Sequence, residues 1–155
     1  CIYKVEFVNF WGNIEAKIDT KGRVFIPVQF RKELLSVQEE CVILKKDLHQ
    51  NCLIIYPKEV WEKLLQELQV KLDKWDPIHQ TLFRQFVSDL EILTVDNSGR
   101  ILIPKRLVGL TNIDSEVRFI GVGNRIEVWA KKELEQALLP QEDFTKALAK
   151  IMKNE

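Results

Sequence analysis

The sequence predicts an α+β protein made of two similar, strand-rich halves. The segment DTKGRVFIP, from Asp19 to Pro27, returns 77 residues later as DNSGRILIP, from Asp96 to Pro104. Each copy follows a strand-like segment and precedes the signals of a helix start. Two copies with so long a period are too few for a solenoid. They predict a duplicated unit whose halves pack around one shared core.

The first copy is expected to form a hairpin. Apolar and polar residues alternate over residues 13–19, which is the period-two pattern of a half-buried strand. The Asp19 carboxylate can accept hydrogen bonds from backbone N–H groups ahead of it, and Gly22 tolerates a positive φ. A second strand then begins at Arg23 and is closed by Pro27.

The second copy repeats this pattern with Asp96, Gly99 and Arg100 in its turn. The strand before it, over residues 91–96, is more uniformly apolar than its counterpart in the first half. Continuous apolar runs are typical of strands covered on both faces. This strand is therefore expected to be the more buried of the two.

A helix is expected after each hairpin. Pro27 can occupy a first helical position, and Phe30 and Leu34 then share one buried face. The helix after Pro104 is expected to be short and to end at Gly109, because glycine often closes a helix.

Further strands are predicted at CVILKKD, CLIIYP and VRFIGVGNRIEVWA, the last with a tight hairpin marked by Gly121, Gly123 and Asn124. One long helix carries an apolar stripe made of Val60, Trp61, Leu64, Leu65, Leu68 and Leu72. Asp76 and Pro77 are expected to start another helix that ends near Ser88.

The predicted boundaries are residues 1–76 for the first half, 77–139 for the second half and 140–155 for a helical tail. The tail carries a weaker helical pattern with Phe144, Leu148 and Ile151.

Composition restricts the classes of function. The 155 residues are 46% hydrophobic, which is enough for a core, and no apolar stretch approaches the roughly 20 residues of a membrane span. The 23 basic and 23 acidic residues give zero net charge, so DNA binding would require local clustering of cations. Three cysteines without a CxxC pair, and no signal-peptide pattern, favour the cytoplasm.

Catalytic and metal-binding patterns are weak. The chain has two histidines, His49 and His79, and no nucleophile motif, so an enzyme is not expected. A zinc site made of Cys41, His49 and Cys52 would lack a fourth ligand and matches no common spacing, so no metal or cofactor is expected. GVGNR, at residues 121–125, lacks the GxGxxG spacing of a phosphate-binding loop and fits a hairpin turn better.

Basic residues cluster around both copies. Over residues 15–32 five basic residues oppose two acidic ones, a net charge of +3, and over residues 92–109 three oppose one, a net charge of +2. Cations at such a cluster can contact phosphates, and an arginine can also bond guanine O6 and N7. The candidate DNA contacts are Lys17, Lys21, Arg23, Arg31, Lys32, Arg100, Lys105 and Arg106.

The two copies differ in charge. Lys17 and Lys21 have Thr94 and Ser98 as their counterparts in the second half. The first copy is therefore expected to contribute more to DNA affinity.

Structural alternatives remain open for these cations. Arg23 and Arg100 each stand four residues after an aspartate, so either arginine can hold its turn instead of contacting DNA. The lysines can be ordinary solvated side chains. Arg31 and Lys32 lie beyond Pro27 and could equally serve a subunit interface.

The segment GNIEAKIDTKGRVFIPVQFRK, at residues 12–32, resembles the AbrB-type DNA-binding module. Two DxxxR motifs, each with an apolar residue and proline at its end, and the segment GVGNRIEVWAKKEL extend the resemblance over about residues 10–152. With these motifs the chain resembles the MraZ family, bacterial regulators of the division and cell-wall gene cluster.

The resemblance implies two AbrB-like swapped-hairpin units interlocked as a pseudo-dimeric β-barrel with flanking helices. It also implies a cytoplasmic, nucleoid-associated transcriptional regulator without a cofactor, a membrane partner or a small-molecule substrate. Such a regulator forms ring-like homo-oligomers and binds double-stranded promoter DNA with short direct repeats. The alternative is an antitoxin-like module that mainly binds a partner protein, although such chains usually carry one hairpin copy and a disordered tail.

Overall fold

Strands in two antiparallel sheets and a set of helices make up the part of the chain that the computed structural model describes, residues 8–36 and 41–153. In chain order the elements are β1 (Phe10–Lys17), β2 (Arg23–Phe25), α1 (Val28–Ser36), β3 (Cys41–Lys46), β4 (Leu53–Pro57), α2 (Lys58–Lys71), α3 (Pro77–Ser88), β5 (Glu91–Thr94), β6 (Arg100–Leu102), α4 (Lys105–Leu110), β7 (Glu116–Gly123), β8 (Ile126–Ala130), α5 (Lys131–Ala137) and α6 (Gln141–Lys153). The α+β class predicted from the sequence is confirmed.

The larger sheet has six strands in the order β1-β7-β8-β4-β3-β5. The first strand of each half pairs with a strand of the other half, β1 with β7 and β5 with β3. At the centre, β4 pairs with β8. The strand order therefore stays the same when the two halves are exchanged, as expected for a duplicated unit.

The smaller sheet consists of β2 and β6, one strand from each half. An isolated bridge between Ile18 and Val24 connects the end of β1 to β2. Among the described residues the paired strands form these two separate sheets, with β1 and β5 left as edges of the larger one. The predicted closed barrel is therefore not formed by these pairings.

The main core draws on both halves, which confirms the shared core predicted from the repeat. Ile26 follows the first hairpin and Ile103 the second, and both are fully buried. Phe30 on α1 meets Phe10 on β1 edge to face, with ring centroids 5.7 Å apart. Leu34 is also buried, so the face predicted for α1 is confirmed.

The burial predicted for the strand before the second copy differs most from the structure. Ile14, Ala16 and Ile18 turn towards the core as their alternation predicts. In β5, Leu93 packs against the core, whereas Ile92 is 66% exposed. The expectation of a more buried strand is wrong, because only one face of this short edge strand meets the core.

The roles predicted for Gly109 and Gly121 also differ from those in the structure. The helix α4 continues through Gly109 to Leu110, and the residue with a positive φ beyond it is Asn112, a residue type that tolerates this conformation. Gly123 and Asn124 form the predicted turn, closed by a 3.0 Å bond from the Val122 N–H to the Arg125 carbonyl. Gly121 instead lies within β7, where a Cβ would overlap the backbone of Phe10.

The remaining helices follow the sequence signals. Asp76 caps α3, accepting a 2.8 Å bond from the Ile78 N–H, and the helix ends at Ser88 as predicted. Within the stripe of α2, Trp61 is buried, and it stacks on Phe86 of α3. None of the helices in the described residues combines the length and the apolar character needed to cross a membrane.

The helix predicted in the tail is present as α6. Its apolar residues Phe144, Leu148 and Ile151 are exposed. The predicted first half covers residues 1–76 and the predicted tail ends at residue 155, so residues 1–7, 37–40 and 154–155 of those ranges lie outside the described part.

Candidate nucleic-acid interface

The first turn, residues 19–23, is organised by the carboxylate of Asp19. Its Oδ1 accepts bonds of 2.9 Å from the backbone N–H groups of Lys21 and Arg23. The Gly22 N–H donates to the Asp19 carbonyl at 3.0 Å, and Gly22 has a φ of 94°. Aspartate supplies the acceptor and glycine supplies the left-handed conformation, so these two residue types account for the turn.

The second turn, residues 96–100, has the same arrangement. Asp96 Oδ1 accepts bonds from the N–H groups of Ser98, at 2.9 Å, and Arg100, at 2.8 Å. The Gly99 N–H donates to the Asp96 carbonyl at 2.9 Å, and Gly99 has a φ of 87°. The two copies of the sequence motif therefore give two copies of one backbone conformation.

Each turn also contains an ion pair. The Nε of Arg23 donates to Asp19 Oδ2 at 2.7 Å, and the Nε of Arg100 donates to Asp96 Oδ2 at 3.0 Å. The pKa of each aspartate is held below its ordinary value, first by the backbone N–H of the arginine and then by its side chain. Each contact uses a single N–H of a guanidinium that has several, and it fixes the direction of that guanidinium.

Hydrogen bonds between the halves hold the two turns against each other. The Ile26 N–H donates to the Gly99 carbonyl at 2.9 Å, and the Ile103 N–H donates to the Gly22 carbonyl at 2.8 Å. A Cβ on Gly22 would overlap the carbonyl oxygen of Ile103. Glycine is therefore required there by close approach as well as by φ.

The small sheet has one buried face and one exposed face, which we call the outer face, made of Arg23, Phe25, Arg100 and Leu102. In the register of the two strands Arg23 lies opposite Leu102, and Phe25 lies opposite Arg100. The arginines are thus diagonal neighbours, a relation that places two residues about 7–8 Å apart and their Cβ atoms somewhat closer.

The apolar residues of the outer face, Phe25 and Leu102, were not predicted from the sequence as part of the site. Phe25 is 53% exposed and Leu102 is 54% exposed. The Arg100 guanidinium lies 5.7 Å from the centre of the Phe25 ring, within the range of a cation–π contact. The period of two in VFIP and ILIP could have predicted these exposed side chains. Val24 and Ile101 are buried, so Phe25 and Leu102, one position further on, point to the opposite face.

The predicted lysines are exposed at separate points of the structure. Lys21 is in the first turn, two residues before Arg23, and Lys17 ends β1 opposite Glu116. Lys32 is on α1, and Lys105 is the first residue of α4. The fold therefore brings Lys21, Arg23 and Arg100 to one small sheet and its turns, and distributes the other lysines over β1 and the two helices that follow the hairpins.

Two predicted contacts have guanidinium groups bound to protein oxygens. Arg106 Nη2 donates to the Asp89 carbonyl at 3.0 Å and to Glu91 Oε1 at 2.7 Å. Arg31 Nη1 donates to the Ser98 carbonyl at 3.1 Å. These interactions connect α4 to β5 and α1 to the second turn, so both side chains have a structural role in this conformation.

The structure does not support the zinc site considered for Cys41, His49 and Cys52. Cys52 is buried beside Ile54 and Trp129, and burial raises the pKa of its thiol to about 12. A thiol that resists ionisation is a poor metal ligand, since the thiolate is the binding form. Residues 8–36 and 41–153 contain no group of three histidine, cysteine or acidic side chains placed to hold a metal ion.

Comparison with known proteins gives one consistent family. Residues 10–77 and 88–154 each match the family described as MraZ protein, a description that also carries the term antitoxin-like. The protein called transcriptional regulator MraZ in Bacteroides fragilis is 55% identical over 148 residues, which is 96% of this chain and 94% of that protein. Proteins of the same name in Bacteroides thetaiotaomicron and Christiangramia forsetii are 51% and 32% identical, each over 96% of this chain and 95% and 96% of their own length.

Proposed function

The chain belongs to the MraZ family, whose members are transcriptional regulators and not enzymes, and from this we propose that it regulates transcription by binding promoter DNA. The proposed target is the promoter of the division and cell-wall gene cluster. The observation that carries the proposal is the outer face, because two arginines lie there on neighbouring strands and are aimed by their own turns.

A two-stranded β-ribbon fits the major groove of B-DNA, which is about 12 Å wide. The sheet of β2 and β6 has this form, and it presents guanidinium groups that can bond guanine O6 and N7 or clamp a phosphate. We assign Arg23 and Arg100 to this contact. The exposed Phe25 and Leu102 add apolar surface that can meet a thymine methyl group.

The exposed lysines fit the phosphate backbone. Lys21 lies in the first turn, and Lys17, Lys32 and Lys105 are on β1, α1 and α4, the elements that precede or follow the ribbon strands in the chain. Such contacts position a protein without reading sequence. Arg106 is already bound to Glu91 and the Asp89 carbonyl, so its proposed contribution to DNA binding is smaller than that of the lysines.

We also propose that two AbrB-like swapped hairpins interlock and act as a pseudo-dimer. This is supported by the strand pairings between the halves, β1 with β7, β5 with β3 and β2 with β6. We retain residues 1–76, 77–139 and 140–155 as the proposed halves and tail. The proposed location is the cytoplasm, in association with the nucleoid.

A chain of zero net charge, with a small number of cations on and around the outer face, should bind one DNA repeat weakly. We therefore propose that it acts as a ring-like homo-oligomer on several short direct repeats. Linked sites raise the effective concentration for the next contact, and avidity then exceeds single-site affinity by about 10²–10⁴.

The test is a titration of the purified protein on DNA from the promoter of its own operon, with one repeat, with several repeats in phase, and with a scrambled sequence of equal length. We expect tight binding only to the phased repeats. Equal affinity for one and for several repeats would contradict the multivalent mechanism, and equal affinity for the scrambled DNA would contradict sequence-specific regulation.

A second function is supported by the antitoxin-like term in the family description. In that case the chain would mainly bind a partner protein. Failure to distinguish promoter DNA from scrambled DNA, together with a stable and stoichiometric protein complex isolated from cells, would favour this alternative.

A further inference from the structure

We propose that Arg31, a residue of the first half, is a positioning residue for the second DNA-binding turn rather than a DNA contact. Its side chain crosses from α1 to residues 96–100, where Nη1 donates to the Ser98 carbonyl at 3.1 Å. The guanidinium also covers Gly99, because a Cβ added there would overlap Nη1 and Cδ of Arg31.

Part of the Arg31 side chain is buried where it contacts the second turn. Its Nε is buried and has no hydrogen-bond partner among the described residues, although the residue as a whole is only partly buried. A side chain extended toward a phosphate would keep its polar atoms in water. Here part of the guanidinium has left water to lie on the turn, so its position is determined by the protein.

Within residues 8–36 and 41–153, no arginine side chain makes an equivalent hydrogen bond to the backbone of the first turn. At the offset of the repeat, Arg31 corresponds to Val108, which packs against the core. The atoms nearest to a Cβ on Gly22 would belong to the Ile103 carbonyl and the side chain of Leu102. The contact from α1 therefore distinguishes the second turn, which is also the turn that has Ser98 in place of Lys21.

Support from Arg31 restricts the backbone on which Arg100 is carried. Ser98 and Gly99 immediately precede Arg100, so their conformation positions the Arg100 backbone, while the ion pair with Asp96 directs its guanidinium. Ordering this segment before DNA arrives removes part of the entropy cost of binding. The inference rests on the proposed function insofar as Arg100 meets DNA, but the ordering of the turn is measurable without DNA.

The first test is a double-mutant cycle on phased-repeat DNA with Arg31→Gln, Arg100→Ala and the double variant. We expect Arg31→Gln to weaken binding about three- to tenfold, the size of one lost hydrogen bond. In the Arg100→Ala background the same change should have almost no further effect, because Arg31 acts through Arg100. The matched control is Lys32→Gln, the neighbouring cation on α1, whose effect should be unchanged by Arg100→Ala.

The second test uses backbone amide exchange in the protein without DNA. Arg31→Gln should increase exchange at Gly99 and Arg100 and leave Gly22 and Arg23 unchanged, whereas Lys32→Gln should leave both turns unchanged. If the wild-type protein binds no DNA but the amides respond in this way, the proposed function fails and the positioning role stands.

Two results would overturn the inference. One is a full additive loss from Arg31→Gln in the Arg100→Ala background, and the other is unchanged exchange in the second turn. If Arg31→Gln does not fold, the side-chain N–H signals of Arg31 in the wild-type protein decide the question. Signals that stay unchanged when DNA is added support positioning, and a large shift indicates a direct contact.

Discussion

The two DxxxR turns have the same backbone but different surroundings. The first turn carries Lys21, and its arginine lies opposite Leu102. The second turn has Ser98 in place of the lysine, and its arginine lies against the ring of Phe25. Its peptide is also held by Arg31 from the other half. The first turn thus has an exposed lysine of its own, and the second turn has the support of an arginine from another element.

Duplication within one chain permits this divergence. In a symmetric dimer of single-hairpin chains, every substitution appears in both turns. Here position 31 and position 108 hold an arginine and a valine, so one helix can support the opposite turn while its counterpart packs into the core. The comparison leads to three predictions, from the largest expected effect to the smallest.

The largest effect concerns stability, with Gly22→Ala compared with Gly99→Ala. Both glycines have a positive φ, which costs an alanine about 1–2 kcal/mol. At Gly22 the new Cβ also meets the backbone carbonyl of Ile103, whereas at Gly99 it meets the side chain of Arg31, which can shift more readily than a backbone group. We expect a loss of about 2–4 kcal/mol for Gly22→Ala, since overpacking adds to the φ cost, and about 1–2 kcal/mol for Gly99→Ala.

Chemical denaturation of both variants measures this difference. Gly109→Ala is a suitable control, because Gly109 lies in α4 with no heavy atom within 4 Å of an added Cβ. That variant should be neutral or slightly more stable than the wild type. Equal losses for Gly22→Ala and Gly99→Ala would show that Arg31 contacts its turn as rigidly as a backbone group does.

Most of the local structure at these turns could be predicted from the sequence. The spacing of Asp19 and Gly22 determines the turn through a side-chain acceptor and a left-handed residue, and both are local properties. The role of Arg31 could not be predicted, because its partner Ser98 is 67 residues away and is reached only after the halves interlock. The prediction that β5 is the more buried strand was wrong for a similar reason, because an apolar run does not reveal that its strand lies at the edge of a sheet.

The second prediction compares the arginines. Arg23→Ala should weaken DNA binding most, by about 1–3 kcal/mol if Arg23 reads a base. If it contacts only phosphate, affinity should fall for all sequences and the salt dependence should decrease by about one ion. Arg100→Ala should cost less, because its turn offers no lysine to act with it.

Salt-dependent titrations of folded, assembled variants make this comparison. Lys150→Ala on α6 is a matched control, since it removes an exposed cation far along the chain from either turn. An Arg100→Ala loss as large as that of Arg23→Ala would show that the difference in lysines does not produce a functional difference.

The smallest effect concerns acid pH. The pKa values of Asp19 and Asp96 are lowered from the ordinary value, so each carboxylate stabilises the fold above the unfolded-state pKa of about 3.9. That contribution is lost as the pH falls through the lower folded-state pKa, and it is constant near neutrality.

The first cause of the lowered pKa is the backbone N–H of Arg23 or Arg100, which an alanine retains. In Arg100→Ala, therefore, the pKa of Asp96 should rise only in part and stay below its ordinary value. Carboxyl chemical shifts followed by NMR between about pH 2 and pH 6 measure both aspartates at once, with Asp19 as the internal reference. A return of the Asp96 pKa to its ordinary value would show that the arginine side chain holds this turn together, and it would assign Arg100 a structural role where Arg23 has a binding one.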